Sequence, residues 1–310
     1  MAKFKSNYSQ NSRGSHSFLV LLIIYGIVLI LLLLYLARYF KSMVRLNSTS
    51  DQPKTTQFIS DSSRGNFDDY LPGITAGNEK IKHSFFTLSY SEHHEQAEWV
   101  AYELTIEQLN SPKQERLDYF SPDFGIKTKS ATHRDYTGSG YTRGHLAPAA
   151  DMAFDPKAAQ ECFLMSNISP QARAFNNGIW RELEENVRDW ARKNKKLFIV
   201  TGPVLTDDLK NKIGVNRVTV PRFFYKVILD DTDPDLKGIG FLIPNERSEK
   251  PLAEYACTID QVEKLTSIDF FNKHPLQDQL EGIEANFQLE KWPINAERFV
   301  TRKNKWNKQE

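Results

Sequence analysis

Arg134–Met152 reads RDYTGSGYTRGHLAPAADM, with three glycines and a proline crowded around Arg143 and His145. Glycines at 138, 140 and 144 permit tight turns or close approach of another group to the backbone. The spacing is not a dinucleotide-binding fingerprint, because Gly138-x-Gly140 is followed by Gly144 and no helix is evident. It is not a zinc-protease helix either, since no second His or Glu stands at helical spacing from His145. A single His beside Arg143 is, on local chemistry alone, as readily structural as functional.

The next segment outward, Leu164–Trp190, reads LMSNISPQARAFNNGIWRELEENVRDW. From Asn176 to Asn194 the positions Trp180, Leu183, Val187, Trp190 and Ala191 fall within one arc of a helix of 3.6 residues per turn. Asn176, Trp180, Glu184 and Arg188 form an i, i+4 stripe that borders the same arc, so an amide and a carboxylate sit where the pattern calls for apolar groups. One reading is an exposed Glu184–Arg188 pair of small energetic value. The other is a metal site. On a continuous helix Asn176 and Glu184 would lie about 12 Å apart along the axis, so one would bind an ion and the other its waters.

Taken together, these motifs resemble the DNA/RNA non-specific endonucleases of the ββα-metal type, which include endonuclease G. The similarity runs through Thr142-Arg143-Gly144-His145-Leu146-Ala147-Pro148, Asn167-Ile168-Ser169-Pro170-Gln171 and Asn176 four residues before Trp180. It continues through Leu183-Glu184, Thr201-Gly202-Pro203, Val220-Pro221 with Phe223-Phe224, and Ile243-Pro244-Asn245. It covers about Glu98 to Phe271. The resemblance implies His145 as general base, Asn176 as direct metal ligand and Glu184 as the residue that orients the waters of the ion. It implies Arg143 as a phosphate-binding group, Arg116 as the contact to the scissile phosphate, and Arg188 and Asn167 as supporting, substrate-binding positions. The implied cofactor is Mg²⁺, with Mn²⁺ as a substitute, and the implied substrates are DNA and RNA. Thr142 departs from the family's usual Asp, which bears on rate more than on reaction type.

That chemistry is coherent. A neutral imidazole suits proton abstraction from water. One hard ion on an oxygen ligand suits a developing phosphoryl charge. The absence of a carboxylate cage favours a single ion, although Asp151 and Asp155 are close enough in sequence to keep a two-ion scheme open; the favoured reading of both is structural, with Asp155-Pro156 as an N-cap followed by Pro at the first helical position. Phosphate contacts would come from Arg181, Arg192, Lys193, Lys195 and Lys196, or these would be a solvated helix end. His93 and His94 resemble a metal pair, but adjacent residues of a strand point to opposite faces. His83, His133 and His274 show no partner pattern.

Across the 310 residues, 40 Lys+Arg against 39 Asp+Glu leave a formal charge of +1, so nucleic-acid contact must be a local patch. Cys162 and Cys257 are too few for a disulfide framework or zinc ribbon; free buried thiols are the favoured reading, with a single bridge between them as the alternative. Strand-like runs stand at Glu98–Thr105, Lys196–Leu205, Val218–Asp230 and Gly238–Pro244, and amphipathic stretches at Thr258–Phe271 and Leu276–Phe287. The expected fold class is α+β, the ββα-metal nuclease fold, with a central mainly antiparallel sheet flanked by helices and preceded by one transmembrane helix.

Ser17–Ala37 carries no Asp, Glu, Lys or Arg, and as a helix it would run about 31 Å, enough for a hydrocarbon core of about 30 Å. The expected organisation is a polar tail at 1–16, a membrane anchor at 17–37 and a flexible linker at 38–77. An endonuclease domain at 78–290 and a solvated basic tail at 291–310 follow. Charge counting does not orient the anchor. The hazard of a nonspecific nuclease to its own genome argues for a single-pass membrane protein with the domain on the periplasmic or extracellular face. The reading allows a homodimer and an inhibitor protein as partners. Two other functions compete: a membrane-tethered nucleic-acid-binding protein whose Thr142 marks lost catalysis, and a phosphodiesterase acting on small diesters.

Overall fold

The computed structural model describes residues 66–308 apart from Asp118, Asp233 and Pro234. The expected anchor at 17–37, the tail before it and the linker up to residue 65 lie outside the described residues. Among the described residues no helix is long and apolar enough to cross a membrane.

Seven antiparallel strands form the central sheet: β1 (Glu79–Lys82), β2 (Thr87–Ser91), β3 (Gln96–Thr105), β6 (Lys196–Pro203), β9 (Phe223–Asp230), β10 (Lys237–Pro244) and β11 (Ala256–Cys257), paired in that order. Two further ribbons stand beside it, β4 (Thr142–His145) with β5 (Ile168–Gln171) and β7 (Lys212–Ile213) with β8 (Val218–Thr219). The helices are α1 (Ile106–Asn110), α2 (His133–Tyr136), α3 (Pro156–Glu161), α4 (Arg181–Asn194), α5 (Ile259–Thr266), α6 (Gln277–Glu284) and α7 (Ala296–Asn304).

Both faces of the sheet are buried, and the strand period of two divides its side chains between two cores. On β3, Val100, Tyr102 and Leu104 join Ile199, Phe224, Ile228 and Phe241 in the core that receives Trp180, Leu183, Val187 and Trp190 from the α4 side. Trp99 and Ala101, with Phe198, Val200, Tyr225 and Val227, face the opposite core, filled by Ile259 and Val262 of α5 and Leu280 of α6. Each fully buried aliphatic side chain of this kind contributes about 1.5–3 kcal/mol. The expected α+β architecture with an antiparallel sheet is thus observed. The Val218–Asp230 run splits into β8 and β9, because Pro221 has no N–H for a ladder.

Two expectations are corrected. The helix expected from Asn176 is not continuous: Phe175–Trp180 forms a π turn with Gly178 outside the helical region (φ −101°, ψ −108°), and regular α-helix begins at Arg181. The axial spacing drawn for a continuous helix therefore does not apply between Asn176 and Glu184. Over its described residues, 291–308, the expected tail is not solvated, because α7 packs onto α4. Arg302 is fully buried, with Nε 2.5 Å from Glu182 Oε2. Its Nη2 donates to the Lys250 carbonyl at 2.6 Å and its Nη1 to the Ser248 carbonyl. Trp292 is buried beside Trp190, their ring centroids 5.3 Å apart. A lone charged residue in a polar run thus carries a tertiary contact that periodicity could not show.

Removing one partner of a buried ion pair leaves the other uncompensated. Arg302→Met is therefore expected to lower unfolding free energy by about 3–5 kcal/mol in urea titration. A change below about 1 kcal/mol would show that α7 is not held through this pair.

Candidate active site

The short β4 strand carries Thr142, Arg143, Gly144 and His145, each opposite a residue of β5: Thr142 with Gln171, Gly144 with Ser169, His145 with Ile168. Gly144 is required by packing, since a Cβ there would overlap the Gln171 side chain. The glycine serves close approach of a neighbouring strand. Gly138 and Gly140, at φ +72° and +84°, instead make the turn that leads into β4.

His145 sits between rings, its imidazole 4.8 Å from Phe163 and 5.6 Å from Phe120. Its Nε2 is enclosed without a hydrogen-bond partner, and no protein group bonds Nδ1. Burial, with Arg116's charge adding, lowers its pKa to about 3. Arg116 lies over the Phe163 ring at 5.7 Å. Arg116, implied as a phosphate contact, thus lies close to His145.

Arg143 Nη2 donates to the His133 carbonyl at 2.7 Å, to Thr137 Oγ1 at 3.1 Å and to His133 Nδ1 at 3.2 Å. The guanidinium is flanked by the Phe120 and Tyr136 rings, and Nε is enclosed without a partner. His133, which showed no pattern in the sequence, is thus part of the clamp on Arg143.

Thr142 does not orient Arg143. Its hydroxyl donates to the Gln171 carbonyl at 2.9 Å and accepts from Asn176 Nδ2 at 2.9 Å. That contact fixes the amide plane and leaves Asn176 Oδ1 as the free end. The π turn that begins beside Asn176 ends on Trp180, whose ring lies under Lys226 Nζ at 4.9 Å. Lys226 projects from β9 toward the α4 face, fully buried and with no hydrogen bond to its ammonium. Burial lowers its pKa, and the charge of Glu184 opposes that shift. Burial raises Glu184, and the charges of Lys226 and Arg188 pull it back.

Arg188 pairs with Asp151, not with Glu184: Nη1 stands 2.9 Å from Asp151 Oδ1, and Tyr102 donates to Oδ2 at 2.9 Å. Asp151 is a fully buried counter-ion, and Asp155 caps α3 through Lys157 N and Ala158 N, so neither supports a second ion. The expected substrate contact by Asn167 is corrected. This residue is fully buried and bonds only main chain, at Ala147 N, Ala147 O and Cys162 O, and so holds the chain after His145 in place. Arg181 and Arg192 are taken up by Glu185 and Asp189 on their own helix. Cys162 and Cys257 are free, as expected, and burial pushes both thiols up to about 12.

His145 and Thr142 share β4, Thr142 accepts from Asn176, and the turn that holds Asn176 ends on Trp180 beside Lys226. His145 Nε2, both Gln171 amide atoms, Trp180 Nε1 and Lys226 Nζ are buried without hydrogen-bond partners, a condition uncommon for buried polar atoms. The Asn176 amide oxygen and the Glu184 carboxylate are oxygen donors of the kind that suits a hard, oxygen-preferring ion. Lys226 was not found from sequence; a Lys in the Phe223–Asp230 strand, on a helix-covered sheet, was the available signal.

Residues 63–277 match the family model described as DNA/RNA non-specific endonuclease. The chain is 30% identical over 213 residues to mouse nuclease EXOG, mitochondrial, covering 63% of this chain and 58% of that protein. It is 32% identical over 212 residues to the mitochondrial nuclease of Saccharomyces cerevisiae, covering 61% and 64%. The chain thus spans about three fifths of the length of these curated relatives. A crystal structure of the EndoG/EndoGI complex, concerned with EndoG inhibition, is similar with a TM-score of 0.59 at 30% identity, covering 67% of this chain and 90% of that one. The expectation of a single-pass membrane protein with an extracytoplasmic domain is overturned, because these relatives are mitochondrial nucleases by name. Over more than half its length, and with the ordered motifs of β4, β5 and the π turn in place, the chain belongs to the DNA/RNA non-specific endonuclease family.

Proposed function

We propose that this chain is a divalent-metal-dependent endonuclease that hydrolyses phosphodiester bonds of DNA and RNA with little sequence preference. The observation that carries the reading is His145 itself. It is a neutral imidazole held between two rings beside Arg116, on the same four-residue strand as the hydroxyl that aims Asn176.

His145 takes the proton of the attacking water at Nδ1, since Nε2, equally without a protein partner, is enclosed. Arg116 binds the scissile phosphate and Arg143 a neighbouring phosphate. Because Arg116's charge helps hold the His145 pKa low, a bound phosphate that neutralises this charge raises His145 toward the range in which it is an effective base. Asn176 Oδ1 would hold the ion, Mg²⁺ or Mn²⁺, and Glu184 would orient water near it. When bound, the ion supplies positive charge to the phosphoryl oxygens. Arg188 and Lys226 offset the Glu184 charge, and Asp151 holds Arg188 for that purpose.

Plasmid DNA and RNA should be degraded by the protein in Mg²⁺ or Mn²⁺, and His145→Ala should slow cleavage about 10²–10⁴-fold; wild-type rates in that variant would overturn the assignment of the base. Thr142→Val, which deletes the hydroxyl between Gln171 and Asn176, should lower metal affinity or rate about 10–100-fold, with Thr142→Ser retaining most of it. Equal metal affinity and cleavage in Thr142→Val and wild type would contradict the orienting role.

The depressed His145 pKa has a definite sign. The unfolded-state value is near 6.5 and the folded value about 3, so between these limits the unfolded chain binds more protons and stability falls as pH falls. By NMR the ligand-free imidazole should stay neutral down to about pH 4, and Arg116→Gln should raise its pKa. An ordinary titration near 6.5 in the wild type would contradict the enclosed geometry.

A further inference from the structure

We propose that the tip of the β2–β3 hairpin and the loop after β6 form a second metal site, which takes one transition-metal dication of the zinc class on His93, His94 and Asp207. Each of the three offers one ligand atom, and these atoms all lie within 4.8 Å of one another. Two neighbouring histidines can share an ion here because they are not in a strand. Ser91 to Gln96 is a turn, with the His94 N–H on the Ser91 carbonyl at 3.2 Å and Glu95 at φ +54°. The two imidazoles stand edge to face, 4.6 Å between centroids at 82°.

His94 is buried, and its Nδ1 lies 3.1 Å from Thr219 Oγ1 on β8. A hydrogen bond at one ring nitrogen is the usual way a protein fixes the orientation and tautomer of a ligating histidine, leaving Nε2 for the ion. His93 and Asp207 are exposed and free to close on it. No ion pair or hydrogen bond links these three side chains to one another, so the cluster is not explained as a salt bridge. Lys212 donates to the His93 carbonyl at 3.1 Å, which holds the main chain of the turn. A cavity of about 660 Å³, lined in part by His94, Asp207 and Glu98, opens beside the cluster and gives an entry path and room for a water ligand.

Two imidazoles and one carboxylate select a borderline ion, zinc, copper, nickel or cobalt, over Mg²⁺ or Ca²⁺. The site is therefore chemically distinct from the oxygen donors at Asn176 and Glu184. An ion there would tie the hairpin tip to the β6–β7 connection, and its binding would stabilise the folded state by mass action.

The test uses the full chain, without a polyhistidine tag and stripped of metal, titrated with Zn²⁺ alone by calorimetry. Wild type and Asn176→Ala should each bind one equivalent at this site. His93→Ala and Asp207→Ala, both exposed positions, should each weaken that equivalent by more than about tenfold, and the double variant should lose it. Thr219→Val, which removes the hydroxyl on His94 Nδ1, should weaken it about 10–100-fold. Cobalt in place of zinc should give visible d–d bands that disappear in the double variant. Failure of the wild type to bind zinc, or unchanged zinc affinity and stoichiometry in the double variant, would overturn the proposal. So would loss of the equivalent in Asn176→Ala with retention in the double variant.

Discussion

The close approach of Gln171 to Gly144 sets the register of the β4–β5 ribbon, and the candidate site depends on that register. A slip of one residue would exchange the faces of the strand, taking His145 from between its rings and Thr142 from Asn176. Only a residue without Cβ lets the two strands meet with the Gln171 side chain across the backbone. The pairing therefore places the imidazole and the hydroxyl at fixed offsets along four residues. Asn167, bonded at three points to main chain around Ala147 and Cys162, fixes the chain as it leaves His145. The residue that stands between Arg and His in the motif is in this sense as consequential as either.

The second support is the packing of α4 on the sheet. Leu183, Val187 and Trp190 fill the core and thereby place the polar residues of the same helix at its border. Charge compensation then decides their states. Asp151 is removed from solvent but held by Arg188 and Tyr102, whereas Lys226 has a ring beneath it and no hydrogen bond. An uncompensated buried ammonium costs several kcal/mol (on the order of those seen for buried ions generally), and Glu184 opposite it reduces the cost. Burial and attraction act against one another in this pair, so each group's charge depends on the other's.

Much of this was legible in the sequence and some was not, for identifiable reasons. The strands β3, β6 and β10 were legible because they are buried on both faces and so read as apolar runs. The π turn was not, since an intact 3.6-residue pattern on either side of Gly178 conceals a local break, although a glycine within a helical run is a signal for one. The basic stretch after Arg298 read as solvated because the partner that buries Arg302 is Glu182, far away in sequence and itself at an apparently exposed helix position. His145, Asn176 and Glu184 were singled out through motif order. The clamp on Arg143 by His133, the role of Thr142 and the position of Lys226 needed three-dimensional contacts. Arg188 was expected opposite Glu184 by helical spacing, yet a carboxylate from a distant loop reaches it first.

The central claim is that the β4 strand makes the base and the orientation of Asn176 parts of one unit. A double-mutant cycle on DNA cleavage, comparing His145→Ala, Asn176→Ala and the double variant under single-turnover conditions, tests that claim most directly. Groups that serve the same chemical step lose activity non-additively, so the account predicts a double variant no slower than the worse single variant by more than about threefold. Losses that multiply in full, as for independent sites, would contradict it.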